Sequence, residues 1–271
     1  MNLDDTLPRL ADDPALDLDF AELALAVAAD EYPGLTVADS LARLDALADE
    51  LSPRLDGSLE GRVAELSNFL FEERGFTGNA TDYYDARNSY LNDVLDRKLG
   101  IPLTLSLVAM AVGRRCGLTI EGVGLPGHFI ARAVGSSDDI LFDPYHGGQF
   151  LDRDACSMLV TTVTGQPYTV TDESLEATLP GCFALRMLTN LKATYLRRQD
   201  YPRAARTVRR LAQLLPGDPS QRRDLGVCLF HAEQPGAAID HLEAYLRCDP
   251  ADGEAVAAFL QQARRHLAKW N

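Results

Sequence analysis

Gly122-Val123-Gly124-Leu125-Pro126-Gly127-His128-Phe129-Ile130-Ala131-Arg132-Ala133-Val134 is the stretch on which the fold turns. Its first six residues fit G-x-G-x-x-G, and Asp143 follows at about the distance of the acidic residue in a dinucleotide-binding fingerprint. That fingerprint needs a helix to open after the last glycine, so that its N-terminal N–H groups face a pyrophosphate. Here the residues after Gly127 read as a strand, which argues against nucleotide binding. The glycines read instead as a tight turn that delivers His128. Leu118 to Val123 forms the strand before it. Ile140 to Phe142 forms the strand after it, reached through the turn Gly135-Ser136-Ser137-Asp138-Asp139.

His128 opens one strand of this hairpin and Asp143 closes the next. Side by side, the carboxylate could orient the imidazole, as in a Cys-His-Asp triad. The plain alternative is a structural histidine beside the turn aspartate of Asp143-Pro144. A nucleophile at the start of a helix packed on the sheet would decide between them. The run Ile101 to Gly117 reads as a buried helix, with Pro102 suited to the first turn, Arg114-Arg115 in the last and Gly117 as the stop. Its start carries Ile101, Pro102, Leu103 and Thr104, and no cysteine. Cys116 lies at the opposite end and reads as structural, while Cys156 and Cys182 fall in segments with no helix-start signal. Thr104 or Ser106, near that start, offers a hydroxyl substitute, with Thr104 the candidate, although a buried helix hydroxyl usually bonds back to the i−4 carbonyl.

Upstream, helical patterns recur at Phe20 to Ala28, at Leu41 to Leu51 and near Val63 to Glu73. A polar aromatic loop then runs from Gly75 to Tyr84. A further helix has Asn88 and Ser89 as candidate caps and stops at Gly100. The chain of 271 residues carries a net charge of −14, which disfavours direct nucleic-acid binding. The charge is uneven: residues 1–60 hold 15 acids and 3 bases, residues 61–182 hold 16 and 9, and residues 183–271 hold 9 and 14. These boundaries define an acidic helical segment (1–60), a central domain (61–182) and a basic C-terminal segment (183–271). The acids of the first segment fall off the apolar stripe and read as a solvated face.

No apolar run is long enough for a bilayer, and Met1-Asn2-Leu3-Asp4-Asp5 lacks a secretory leader pattern, so a cytoplasmic protein without membrane contact is expected. Five cysteines, odd in number and without a C-x-x-C pair, read as free thiols. Neither a metal nor any other cofactor is expected.

The last segment repeats itself. Leu191 and Leu225, Ala204 and Ala238, Val208 and Leu242, Leu211 and Tyr245, and Pro216 and Pro250 are each 34 residues apart, the period of tetratricopeptide (TPR) helix pairs. Gly226 supplies the small residue at the helix crossing, where the first repeat has Lys192. Ala255 to Trp270 reads as a capping helix. The first helix of each TPR repeat lines the groove, which places Arg186, Arg197, Arg223 and His231 there and suits a protein partner or acidic peptide. The acidic N-terminal stretch could itself dock on that groove.

Four motifs in order carry a family resemblance: Asn88-Ser89-Tyr90-Leu91-Asn92-Asp93-Val94-Leu95, Gly100-Ile101-Pro102-Leu103-Thr104-Leu105-Ser106, Gly122 to Phe129, and Asp143-Pro144-Tyr145-His146-Gly147-Gly148. The chain resembles the transglutaminase-like plus TPR proteins known as predicted regulators of sirC expression. The resemblance implies an α+β fold with a papain/transglutaminase-like core and N-terminal helices, followed by an all-α TPR array. It also implies a triad in which His128 and Asp143 match the last two members and the cysteine is missing. A non-catalytic regulatory or scaffolding protein is the expectation, with a pocket near His128, Asp143, Asn79 and Asn88. The alternative is an acyl-transferase or amide hydrolase using His128 and Asp143 with another nucleophile.

Overall fold

The computed structural model describes residues 1–268, so the end of the expected capping helix, to Trp270, lies outside the described residues. The chain forms two compact units. One comprises Met1 and Asp17–Phe183, the other Asn2–Leu16 and Ala184–Asn271. Residues 1–60 are therefore divided between the units.

Helix α1 (Leu3–Asp12) belongs to the second unit. The first opens with α2 (Phe20–Glu31), α3 (Val37–Leu51) and α4 (Leu59–Ser67), the last continuing into a wide π turn, Asn68–Glu73. Then come β1 (Thr77–Gly78), α5 (Leu91–Arg97), β2 (Leu99–Gly100) and α6 (Pro102–Arg115). A four-stranded antiparallel sheet follows, from β3 (Ile120–Leu125), β4 (His128–Ala133), β5 (Ile140–Asp143) and β6 (Gln149–Leu151), with strands in sequence order. Helix α7 (Arg153–Thr164) completes the layer on one sheet face.

Helix α6 is buried from Pro102 to Gly113, as expected of a helix enclosed by its own domain. Arg114 and Arg115 leave the core at its C-terminus and bond Asp19 at 3.2 Å and Asp45 at 2.6 Å. Part of the N-terminal acidity thus neutralises this helix end instead of facing solvent alone. Position 122 shows why the dinucleotide pattern misleads. A Cβ on Gly122 would stand 2.5 Å from the Phe129 ring, and that ring meets Phe183 at 6.2 Å between centroids. Gly122 and Gly124 are strand residues that admit this packing. Of the three glycines, only Gly127 (φ +71°) makes the turn.

Asn88 and Ser89 do not cap α5. Tyr90 holds the cap position, and Asn88 ends a short 3-10 turn, Ala86–Asn88. Cys156 and Cys182 do lie near helix starts, contrary to the sequence reading, because Asp152 caps α7 and Pro180 opens α8 (Pro180–Arg197).

The second unit continues through α9 (Tyr201–Leu214), α10 (Ser220–His231), α11 (Pro235–Leu246) and α12 (Gly253–Ala268). Gly226 brings α10 and α11 together: a Cβ there would lie 2.7 Å from Leu242 and 3.2 Å from the Ala238 carbonyl. Lys192, at the equivalent place in the first repeat, reaches across to Asp224. Helix α1 packs on α9, where Asp4 accepts bonds from Arg210 and Gln213. The N-terminal acidic stretch therefore joins the repeats against a second helix of a pair and not along the groove.

His241 on α11 is half-buried. Burial lowers its pKa, Arg209 and Arg222 act the same way, and Asp240 opposes them. As pH falls, the unfolded chain takes up this proton before the folded one. The stability is therefore whole above the ordinary value of 6.5 and erodes below it. His241→Gln is expected to flatten the pH dependence of amide-exchange protection in α9 to α11 between about pH 7 and 5. An unchanged slope would remove His241 as its cause.

Candidate functional site

Register sets the first contact. Ala131 pairs with Phe142, so the start of β4 lies beside the end of β5, and the β3–β4 turn fixes His128 opposite Leu125. His128 Nε2 and Asp143 Oδ2 share a 2.9 Å hydrogen bond, with both side chains almost fully buried. Pro144 then starts a 3-10 turn, Pro144–His146. Asp143 caps it by accepting the Tyr145 N–H on Oδ1 at 2.9 Å. The same turn brings His146 back, with Nδ1 2.7 Å from Asp143 Oδ2. The two imidazoles lie nearly parallel, 5.7 Å apart, and Tyr145 meets both edge-on.

Burial alone would raise the Asp143 pKa. Hydrogen bonding and charge from His128 and His146 outweigh it and hold the carboxyl below its ordinary value. His146 is the residue that sequence reading missed. An Asp-Pro start with a histidine three residues on places that ring back over the carboxylate, and the motif was legible as such.

Tyr145 rests on Gly78, where a Cβ would come within 2.5 Å of its ring. Gly78 leads into the loop that carries Tyr83 and Tyr84, and Tyr83 meets Tyr145 at 6.5 Å, giving the site an aromatic rim. Asn79 and Asn88 are brought together, but they brace this loop. Asn79 donates to Asn88 Oδ1 at 3.1 Å, and Asn88 donates to the carbonyls of Asp82 and Tyr83.

Thr104 Oγ1 accepts the Ile101 N–H at 3.1 Å and donates to the Asn88 carbonyl at 2.7 Å. Its hydroxyl closes the helix start and ties α6 to that loop. Ser106 donates to the Phe129 carbonyl. Cys116 points to the Ala48 carbonyl at the far end of α6. Cys156 is fully buried among Val123, Leu125, Ile130 and Val160, and burial pushes its thiol up to about 11. Strand alternation puts His128 on the sheet face that Ile130 shares with this cluster.

In the repeats, Arg223 bonds Asp224 at 2.8 Å and Asp252 at 2.9 Å, which raises its pKa. His231 stacks on Tyr201 at 4.5 Å. Arg197 is exposed and Arg186 half-buried. Arg223 and His231 are thus held in internal contacts.

A short antiparallel sheet bearing His and Asp on neighbouring strands, with a buried helix against it, defines a transglutaminase-like domain. The profile of the transglutaminase-like superfamily matches residues 38–189, and a tetratricopeptide-repeat profile matches residues 191–264. The chain belongs to the transglutaminase-like superfamily. It is 32% identical over 256 residues to a UPF0162 protein of Xylella fastidiosa, covering 92% of this chain and 86% of that protein. A UPF0162 protein of Pseudomonas aeruginosa is 30% identical over 197 residues, 72% of each chain. Mouse F-box only protein 21 is 34% identical over 122 residues, 42% of this chain and 20% of the mouse protein. No solved structure matches. Among the described residues, no helix is long and apolar enough to cross a membrane.

Proposed function

We propose that this is a non-catalytic cytoplasmic regulatory protein, a pseudoenzyme that binds a protein partner through its transglutaminase-like domain and its repeats. The observation that carries the reading is the commitment of Thr104. The hydroxyl at the helix start, where the family's thiol would stand, is spent on the Ile101 N–H and the Asn88 carbonyl. His128 and Asp143 then serve to knit β4, β5 and the following turn, beside the aromatic rim of Tyr83, Tyr84 and Tyr145. Five unpaired cysteines support a reducing compartment. The basic balance of residues 183–271 favours an acidic peptide on the repeats. We assign the anionic contacts of the repeats to Arg186, Arg197, Arg223 and His231, the residues that the first helices of the pairs carry.

A thiol reading has one observation in its favour: Cys156 lies near the start of α7, in the cluster on the sheet face of His128. Its raised pKa works against it. Iodoacetamide mapping of the full chain separates the two readings. Cys182 and Cys248, both exposed, are expected to react to the same extent in the wild type and in His128→Gln. Fast labelling of Cys156 that His128→Gln abolishes would overturn the non-catalytic reading. For the repeats, two lost ion pairs of up to about 1 kcal/mol each imply that Arg186→Glu/Arg197→Glu weakens binding of a fluorescent oligoglutamate peptide by up to about thirtyfold. Unchanged anisotropy titrations would refute the groove assignment.

A further inference from the structure

The interaction role leaves one cluster unused as chemistry. His128 Nε2, Asp143 Oδ2 and His146 Nδ1 are each a possible ligand atom, and all three lie within 4.8 Å of one another. The carboxylate oxygen is 2.9 Å from one nitrogen and 2.7 Å from the other. Adjacent ligands on an octahedral ion with bonds of about 2.1 Å stand about 3.0 Å apart, close to the two oxygen-to-nitrogen edges, and swinging the half-exposed His146 ring brings its nitrogen toward that of His128. We propose that His128, Asp143 and His146 form a three-ligand site for a divalent transition-metal ion, with further coordination positions left open.

The donor set decides the ion class. Two imidazoles and one carboxylate suit zinc, iron(II), cobalt or nickel, whereas magnesium and calcium ask for oxygen ligands throughout. The carboxylate is also fixed, because its other oxygen accepts the Tyr145 N–H, the kind of support that orients a metal ligand. Entry is open on the side of His146, whose ring is half exposed while His128 and Asp143 are buried. Loading requires each neutral ring to carry its proton on the nitrogen turned away from Asp143, Nδ1 of His128 and Nε2 of His146.

This site goes beyond the peptide-binding reading and is tested separately from it. Full-length protein stripped with EDTA and dialysed is titrated with cobalt(II) alone, followed by visible absorption, and with zinc(II) alone, followed by calorimetry. One ion per chain is expected, with zinc displacing cobalt and with absorption bands free of thiolate charge transfer. His146→Ala alters a half-exposed side chain, so it tests the site without relying on a buried substitution. It is expected to weaken binding at least about tenfold. His231→Ala, in the repeats, is expected to leave binding unchanged, and Cys182→Ser/Cys248→Ser likewise. Failure of the wild type to bind saturably, or equal binding by His146→Ala, overturns the proposal. Neither result touches the oligoglutamate titration, so the two readings fail independently.

Discussion

Asp143→Ala is expected to cost the first unit about 2 to 5 kcal/mol, from a buried donor left unpaired and a turn left uncapped. Amide exchange of β4 and β5 in EDTA-treated protein measures it, because a two-unit chain does not unfold as one transition. One carboxylate serves three donors here. His128 and His146 share Oδ2, and the Tyr145 N–H takes Oδ1. Truncation strips the buried His128 ring of this partner and uncaps the turn after β5. His146→Ala removes only the half-exposed partner and is expected to cost less than about 1 kcal/mol. Asp143→Asn keeps an oxygen for Tyr145 and falls between the two. If Asp143→Ala costs no more than His146→Ala, the carboxylate is not what joins these strands.

How far this site could be read from sequence depends on the range of each contact. His128 and Asp143 were legible because a hairpin with a short turn leaves few registers. The helix Pro102–Arg115 was legible from its end signals, and the repeats from their period. Contacts set by tertiary packing were not. Thr104 has the composition of a substitute nucleophile, and its bond to Asn88, 16 residues earlier, becomes visible only when β1 and β2 bring that loop to the helix start. Asn88 and Ser89 have cap chemistry, yet the buried amide of Asn88 serves the loop instead. Arg223 sits at a groove position by helical count, but Asp252, 29 residues on, takes one side of its guanidinium. Cys156 sits four residues after Asp152, whose capping role shows only where its side chain meets the Ala155 N–H at the start of α7.

The paired glycines after His146 are expected to separate sharply, with Gly148→Ala losing about 3 to 5 kcal/mol and Gly147→Ala about 1 to 2. Both residues have left-handed backbones, φ +71° and +78°, so each alanine meets the same conformational penalty. Their surroundings differ. A Cβ at Gly147 finds nothing within 4 Å, whereas one at Gly148 would lie 2.4 Å from both Cβ and Oγ of Ser67 and 3.0 Å from the Phe71 ring. Ser67 is buried on α4 with no hydrogen bond to its hydroxyl, which fits a small residue retained for clearance under this turn. The Gly148 N–H also donates to the Asp143 carbonyl at 2.8 Å, so displacing it disturbs the turn that aims His146. A double-mutant cycle isolates the packing share: Ser67→Gly removes the clashing atoms and is expected to restore about 1 kcal/mol or more to Gly148→Ala. An additive cycle would leave backbone strain as the whole penalty, and the two glycine variants would then be equally destabilised.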